Sequence, residues 1–172
     1  MASLMEDLIR VLNLEVDKYS ILLELSKKKT PIIVKGDVNE LQKITEEEQV
    51  AVEAVDELDK KRSELMKDIA NVTNRDVESL KLKDLIVMME NRPEEHDALA
   101  VLQDRLKKTV GELKLVNEQN GALIRQSLDM VEFNLALEKS IRTAPETNNY
   151  TKSAANAGSM LGSTFRSFDA RQ

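Results

Sequence analysis

The sequence predicts an all-α protein: an elongated antiparallel helical bundle of coiled-coil-like hairpins, followed by a flexible C-terminal tail. Charged residues make up 33% of the chain and aromatic residues only 3%, a composition typical of long amphipathic helices with narrow Leu-rich seams. Five glycines and three prolines leave little material for the turns of a sheet. The proline-free stretch 94–142 repeats apolar residues at steps of three, four or seven, with one longer gap, which is the period of a packed helix.

The first helix is predicted over about residues 3–28. Its apolar residues share one face, at Leu8, Leu12, Tyr19, Leu22 and Leu25. Pro31 biases the preceding residue, Thr30, away from helical dihedral angles. We therefore expect residues 30–35 to form a short apolar connector.

Two further helices are predicted before residue 91. Asp37 is a natural N-cap, and Glu40 follows three residues later in a capping-box-like pair. These residues start a second helix over 37–71. The polar residues 71–75 then interrupt the pattern, and a shorter helix is expected over 77–90.

The fourth and longest helix is predicted over 94–142, with Pro93 near its first turn and two acidic residues beside it. Its seam consists of Leu99, Leu102, Leu106, Val110, Leu113, Ile124, Leu128, Val131 and Leu135. We expect it to pair antiparallel with the second helix. At 1.5 Å per residue it spans roughly 75 Å, whereas the second helix spans roughly 50 Å. The first helix folds back from the same end. Residues 128–142 are therefore expected to overhang the bundle.

This overhang carries more apolar surface than a monomer normally leaves exposed. The candidate partner-binding residues within it are Leu128, Val131, Phe133 and Leu135. We expect them to contact a partner or a second copy of the chain. The alternative is that residues 32–34, or the chain's own tail, cover them.

Asn117 and Asn120 stand in the seam of the longest helix, between Leu113 and Ile124, where apolar residues are expected. One interpretation is a polar layer that fixes register or oligomeric state, a known use of seam asparagine. The other is that these side chains hydrogen-bond the backbone of a partner, so both are candidate binding residues.

The predicted domains are a helical bundle over 1–142 and a tail over 143–172 rich in small residues. Three apolar anchors in the tail, Leu161, Phe165 and Phe168, follow the i, i+4, i+7 spacing of a helix face. We expect them to dock as a short helix on an apolar groove, of this chain or of a neighbour.

Composition and motifs argue against several function classes. The net charge of −6 is unfavourable for binding nucleic acid or an anionic membrane. No apolar run approaches membrane-spanning length, and the acidic start differs from a signal peptide, which favours a cytoplasmic protein. With one histidine, His96, no cysteine and no phosphate-binding glycine loop, we predict no enzyme activity, no metal site and no cofactor.

Four short motifs resemble those of the FlgN-type flagellar export chaperones. They are Leu14-Glu15-x3-Tyr19, the turn Ile33-Val34-Lys35-Gly36-Asp37, the segment Asn117-x-x-Asn120-Gly-x-Leu123-Ile124, and a tail with Tyr150 and Phe168-Asp169-Ala170. The tail departs from the family in detail, because Thr151 and Lys152, rather than a glycine, follow Tyr150.

The resemblance implies a cytoplasmic, nucleotide-independent chaperone of flagellar type III export. Such a chaperone binds hook-associated (hook–filament junction) proteins through their C-terminal helical segments, keeps them unassembled and delivers them to the export gate. The alternative function is a structural homo-oligomeric coiled-coil spacer or adaptor without a transient client.

Overall fold

A computed structural model describes residues 2–143 of the chain. Four helices follow one another, α1 (Ala2–Lys35), α2 (Val38–Val72), α3 (Leu82–Met88) and α4 (Pro93–Thr143). The all-α prediction is confirmed, since these residues contain helices joined by turns and no strand. The chain divides into two compact units, one ending at Asp129 and the other beginning at Met130.

The end of α1 differs from the prediction, because residues 30–35 continue the helix rather than forming a connector. The helix passes through Pro31 and ends at Lys35, and the next residue, Gly36, has a φ of 68°. The Gly36 amide donates to the Ile33 carbonyl oxygen at 3.0 Å, and the Asp37 amide donates to that of Ile32 at 3.3 Å. This pair is a Schellman motif. Burial of Ile33 and this cap together favour helical residues after the proline.

Capping interactions also set the bounds of α2. The Asp37 carboxylate accepts from the Glu40 amide at 3.0 Å, so the predicted N-cap is confirmed. At the other end Asn74 takes the left-handed conformation, with a φ of 53°, and the Arg75 amide donates to the Ala70 carbonyl oxygen at 2.9 Å. A second Schellman motif thus ends α2.

Helix α3 is shorter than the predicted 77–90, because residues 77–79 form a turn. The Asp84 carboxylate accepts from the Lys81 amide at 2.9 Å and fixes the start of the helix at Leu82. Helix α4 begins at Pro93, a position where the missing N–H costs nothing.

Residues of α1, α2 and α4 pack in two apolar clusters, the first of which also contains Leu85 of α3. The first includes Met89 and helix residues Met5, Leu8, Leu12, Val16, Ile69, Leu85, Leu99 and Leu102. The second contains Leu22, Leu23, Leu25, Ile44, Ala51, Val55 and Leu113. From the start of α1 towards its end, the α2 residues in the same clusters have decreasing residue numbers, whereas the α4 residues have increasing ones. Helix α2 is therefore antiparallel to α1, whereas α4 in this region is parallel to it.

Candidate partner-binding surface

The seam of α4 changes from buried to exposed along its length. Leu99, Leu102 and Leu113 are buried, and Ile124 is partly buried. Every residue from 125 to 143 is exposed. Continuing the register of the buried residues leads to Leu128, Val131 and Leu135, which we call the seam stripe.

A second set of exposed apolar side chains lies on another side of the same helix. At 100° per residue, its members cluster roughly 150° away from the seam stripe. This back stripe consists of Met130, Phe133, Leu137 and Ile141, all exposed. A helix with apolar residues on opposite sides is normally enclosed by other elements.

The structure places the predicted binding residues on different surfaces. Leu128, Val131 and Leu135 share the seam stripe, whereas Phe133 belongs to the back stripe. Sequence reasoning did not select Met130, Leu137 and Ile141 as binding residues, although their spacing with Phe133 signals a common helix face. Leu161, Phe165 and Phe168 lie outside the described residues.

Asn120 belongs to a hydrogen-bond network inside the chain. Its side chain is 4% exposed, and its Nδ2 donates to the Ser26 carbonyl oxygen at 2.8 Å. Its Oδ1 accepts from the Thr30 hydroxyl at 2.7 Å. The amide thus has partners in α1 for both its nitrogen and its oxygen, so we leave Asn120 out of the partner-binding surface. The polar layer joins helices of one chain.

Asn117 lies at the exposed edge of the same network. Its Oδ1 accepts from the Ser26 hydroxyl at 2.9 Å, and that hydroxyl also lies 3.0 Å from Oε1 of Glu48. Lys29 forms an ion pair with Glu48 at 2.6 Å. The network therefore connects α1, α2 and α4. Its α1 members were missed, although Leu22, Ser26 and Thr30 recur at steps of four.

A buried carboxylate lies deeper in the bundle. Glu15 is 1% exposed, and its Oε1 lies 3.4 Å from the Arg62 Nε. Its Oε2 has no hydrogen-bond partner among the described residues. Burial raises the pKa of the Glu15 carboxyl above its ordinary value, against the opposing effect of Arg62. Burial likewise raises the pKa of the nearby Tyr19 phenol, and the charge of Glu15 adds to this effect.

Among residues 2–143, no group of three or more histidine, aspartate or glutamate side chains is arranged to hold a metal ion. The helices in that range include none with the length and apolar character needed to cross a bilayer.

Comparison with known protein families identifies the chain. The sequence model of the FlgN protein family matches residues 1–158. The chain belongs to the FlgN family. FlgN proteins are chaperones of flagellar export rather than enzymes. The matched range contains α1 to α4 and both stripes, whereas Leu161, Phe165 and Phe168 lie beyond it. Comparisons with the curated proteins and with the solved structures find no match.

Proposed function

We propose that this FlgN-family chain is a cytoplasmic chaperone that binds hook-associated proteins through their C-terminal helical segments. It keeps these clients unassembled and delivers them to the export gate. The observation that carries the proposal is the exposed seam stripe of α4. Leu128, Val131 and Leu135 have the spacing and chemistry of a buried helix seam, yet each is at least half exposed.

An amphipathic client helix is the partner that suits this stripe. The three side chains follow the i, i+3, i+7 spacing with which paired helices interlock, and similar spacing on the client would match it. At 100° per residue, Glu132 and Glu138 lie on either side of the stripe. Because exposed charges of this kind contribute little affinity, we assign most of the binding energy to the apolar anchors.

The back stripe gives the client a second surface to cover. Phe133, the largest of its side chains, is two-thirds exposed, and aromatic anchors dominate many interfaces. We therefore propose that the client encloses this end of α4 on both sides. A partner that covers only the seam stripe would leave Met130, Phe133, Leu137 and Ile141 in water.

Co-expression with each hook-associated protein of the host tests the proposed function. We expect the chain and the client to elute together in size-exclusion chromatography, with the client no longer forming polymers. Flagellin from the same host is the control, and we expect no complex with it. Absence of a complex with any hook-associated protein would contradict the proposal. A stable homo-oligomer that binds no client would instead favour the spacer or adaptor function.

A further inference from the structure

A groove separate from the exposed stripes lies over α1, with residues of α2 and α4 at its sides. It consists of two cavities of about 300 Å³ and about 640 Å³. Tyr19 lines both cavities, so the two adjoin at its side chain, and we treat them as one groove. We call it the Tyr19 groove. Leu22 extends its floor, and Leu82 of α3 lies at its far end.

The two sides of the Tyr19 groove are equally long. Lining residues run from Glu48 to Arg62 on α2 and from Gln103 to Asn117 on α4. Each side therefore extends over about 21 Å at 1.5 Å per residue. That length corresponds to about four turns of a helix.

Apolar side chains in the groove remain partly exposed to water. Val52 on α2 is 39% exposed and Val110 on α4 is 37% exposed. Leu106 lies one turn before Val110 and is partly buried. A helix with an apolar stripe would remove all three side chains and the Tyr19 ring from water, which is favourable.

The charge on the lining residues changes sign along the groove. The smaller cavity contains two acidic residues, Glu48 and Asp56, and no basic one. Lys29, which is not part of its lining, forms an ion pair with Glu48, so Asp56 carries the excess negative charge at this end. The larger cavity contains Arg62, Lys83 and Lys107 against one acidic residue, Asp104. Arg62 also forms an ion pair with Asp59, so Lys83 and Lys107 carry the excess positive charge at this end. A helix carries partial positive charge at its N-terminus and partial negative charge at its C-terminus. The groove therefore favours one orientation of a bound helix.

We propose that the Tyr19 groove binds an amphipathic helix of an exported client, about four turns long. The N-terminal end of that helix lies beside Glu48 and Asp56, and its acidic C-terminal end lies beside Arg62, Lys83 and Lys107. The bound helix is thus parallel to α2 and antiparallel to α1. The inference rests on the proposed function only in naming an exported client as the source of the helix.

Stapled 14-residue helical peptides with a leucine stripe test the groove in the full chain. One peptide has a basic first turn and an acidic last turn, and the other has the reverse order. Stapling keeps their helix contents equal. We expect the first peptide to bind at least about tenfold more tightly. Lys83→Glu with Lys107→Glu should reverse that preference. Equal affinity for both peptides, or a preference that this double variant leaves unchanged, would overturn the proposal.

Variants of the groove valines test the site itself. Val52→Asp with Val110→Asp should weaken binding of the preferred peptide at least about tenfold, because the carboxylates would lose water on binding. The matched control is Val50→Asp with Val101→Asp, exposed valines on the same two helices outside the groove. Binding of the control should equal wild type. If the first pair does not fold, serine at the same positions should weaken binding in the same direction.

Other occupants give different results, each of which would overturn the proposal. A wild-type dimer that Val52→Asp with Val110→Asp converts to a monomer would assign the groove to a second copy. Peptide binding seen only after removal of residues 144–172 would assign it to the chain's own tail.

The groove proposal and the proposed function fail in different experiments. If a hook-associated protein binds the Val52→Asp with Val110→Asp variant as tightly as wild type, the groove proposal is overturned and the proposed function stands. A peptide that binds as expected, with no client found, would overturn only the proposed function.

Discussion

The Asn120 side chain donates a 2.8 Å hydrogen bond to the carbonyl oxygen of Ser26, ninety-four positions away in the sequence. The same amide accepts from Thr30, so one buried side chain joins α4 to two consecutive turns of α1. Pro31 follows Thr30 directly and leaves the Lys27 carbonyl without its usual amide donor. The polar network therefore lies beside a weak point of α1. We infer that it fixes the register of α4 against α1.

Replacing Asn120 with leucine should destabilise the fold. The variant loses two hydrogen bonds and leaves the Thr30 hydroxyl without its short 2.7 Å partner. We expect the free energy of unfolding to fall by about 1–3 kcal/mol. Urea denaturation followed by circular dichroism measures this change.

Asn117→Leu is the matched control for that variant. Asn117 is exposed, and the Ser26 hydroxyl keeps Glu48 as a partner. The free energy of unfolding should therefore change by no more than about 0.5 kcal/mol. Equal losses for both variants would contradict the larger contribution assigned to Asn120, and no loss for Asn120→Leu would show that the network does not depend on it.

Replacing Pro31 with alanine should stabilise the protein. Alanine restores the amide that bonds to the Lys27 carbonyl oxygen and removes the ring that crowds it. A proline inside a helix costs up to about 3 kcal/mol, and part of the gain is lost because alanine makes the unfolded chain more flexible. We expect a net gain of about 1–2 kcal/mol in urea denaturation. A loss of stability would mean that α1 needs the proline at this position.

The buried carboxylate of Glu15 should make stability depend on pH. Burial raises the pKa of Glu15 above its ordinary value of 4.5, so the folded state holds a proton that the unfolded chain has already released. Between the two pKa values, lowering the pH therefore stabilises the folded state relative to the unfolded one. This contribution is fully present below the unfolded pKa and is lost as the pH rises through the folded pKa.

Glu15→Gln isolates that contribution from the other carboxylates. At pH 7 we expect the variant to be more stable than wild type, because it buries no charge and Arg62 keeps its ion pair with Asp59. The difference should shrink as the pH falls towards the ordinary pKa of glutamate. Unfolding curves at several pH values measure it. A difference that grows on acidification would contradict the raised pKa.

Hydrogen exchange should separate the two parts of α4. Residues 130–143 are all exposed, and a short helix without packing is only marginally stable in water. We expect their amides to exchange at least about a hundredfold faster than those of 99–113, which include buried core residues. Adding a hook-associated protein should slow exchange in 130–143. Equal protection of both segments without a client would argue against a free surface.

Several elements of the fold follow from local chemistry and were predicted from the sequence. The seam of α4 is visible in its leucine spacing, and Asp37 marks the start of α2 because its side chain caps the first turn. The continuation of α1 through Pro31 was not predicted, since local preference disfavours it. Burial of Ile33 and the Gly36 cap, which depend on the folded chain, oppose that preference.

The candidate site shows the same division between local and long-range information. The exposed residues of the seam stripe follow from the lengths of α2 and α4, whose predicted bounds agree with the structure to within one residue. The partners of Asn120 do not follow, because spacing alone does not reveal that Ser26 and Thr30 face α4. The Tyr19 groove depends on how three helices surround one side chain, and no local motif marks it.

The most direct test of the central claim is the affinity of Val131→Asp with Leu135→Asp for a purified hook-associated protein. The two side chains are 53% and 52% exposed, so the free energy of unfolding should change by no more than about 0.5 kcal/mol. Affinity for the client should fall at least about tenfold. The matched control is Val101→Asp with Leu115→Asp, at positions each 57% exposed on the same helix, and should bind like wild type. Wild-type affinity in the first variant, or equal loss in the control, would contradict the seam stripe as the client surface.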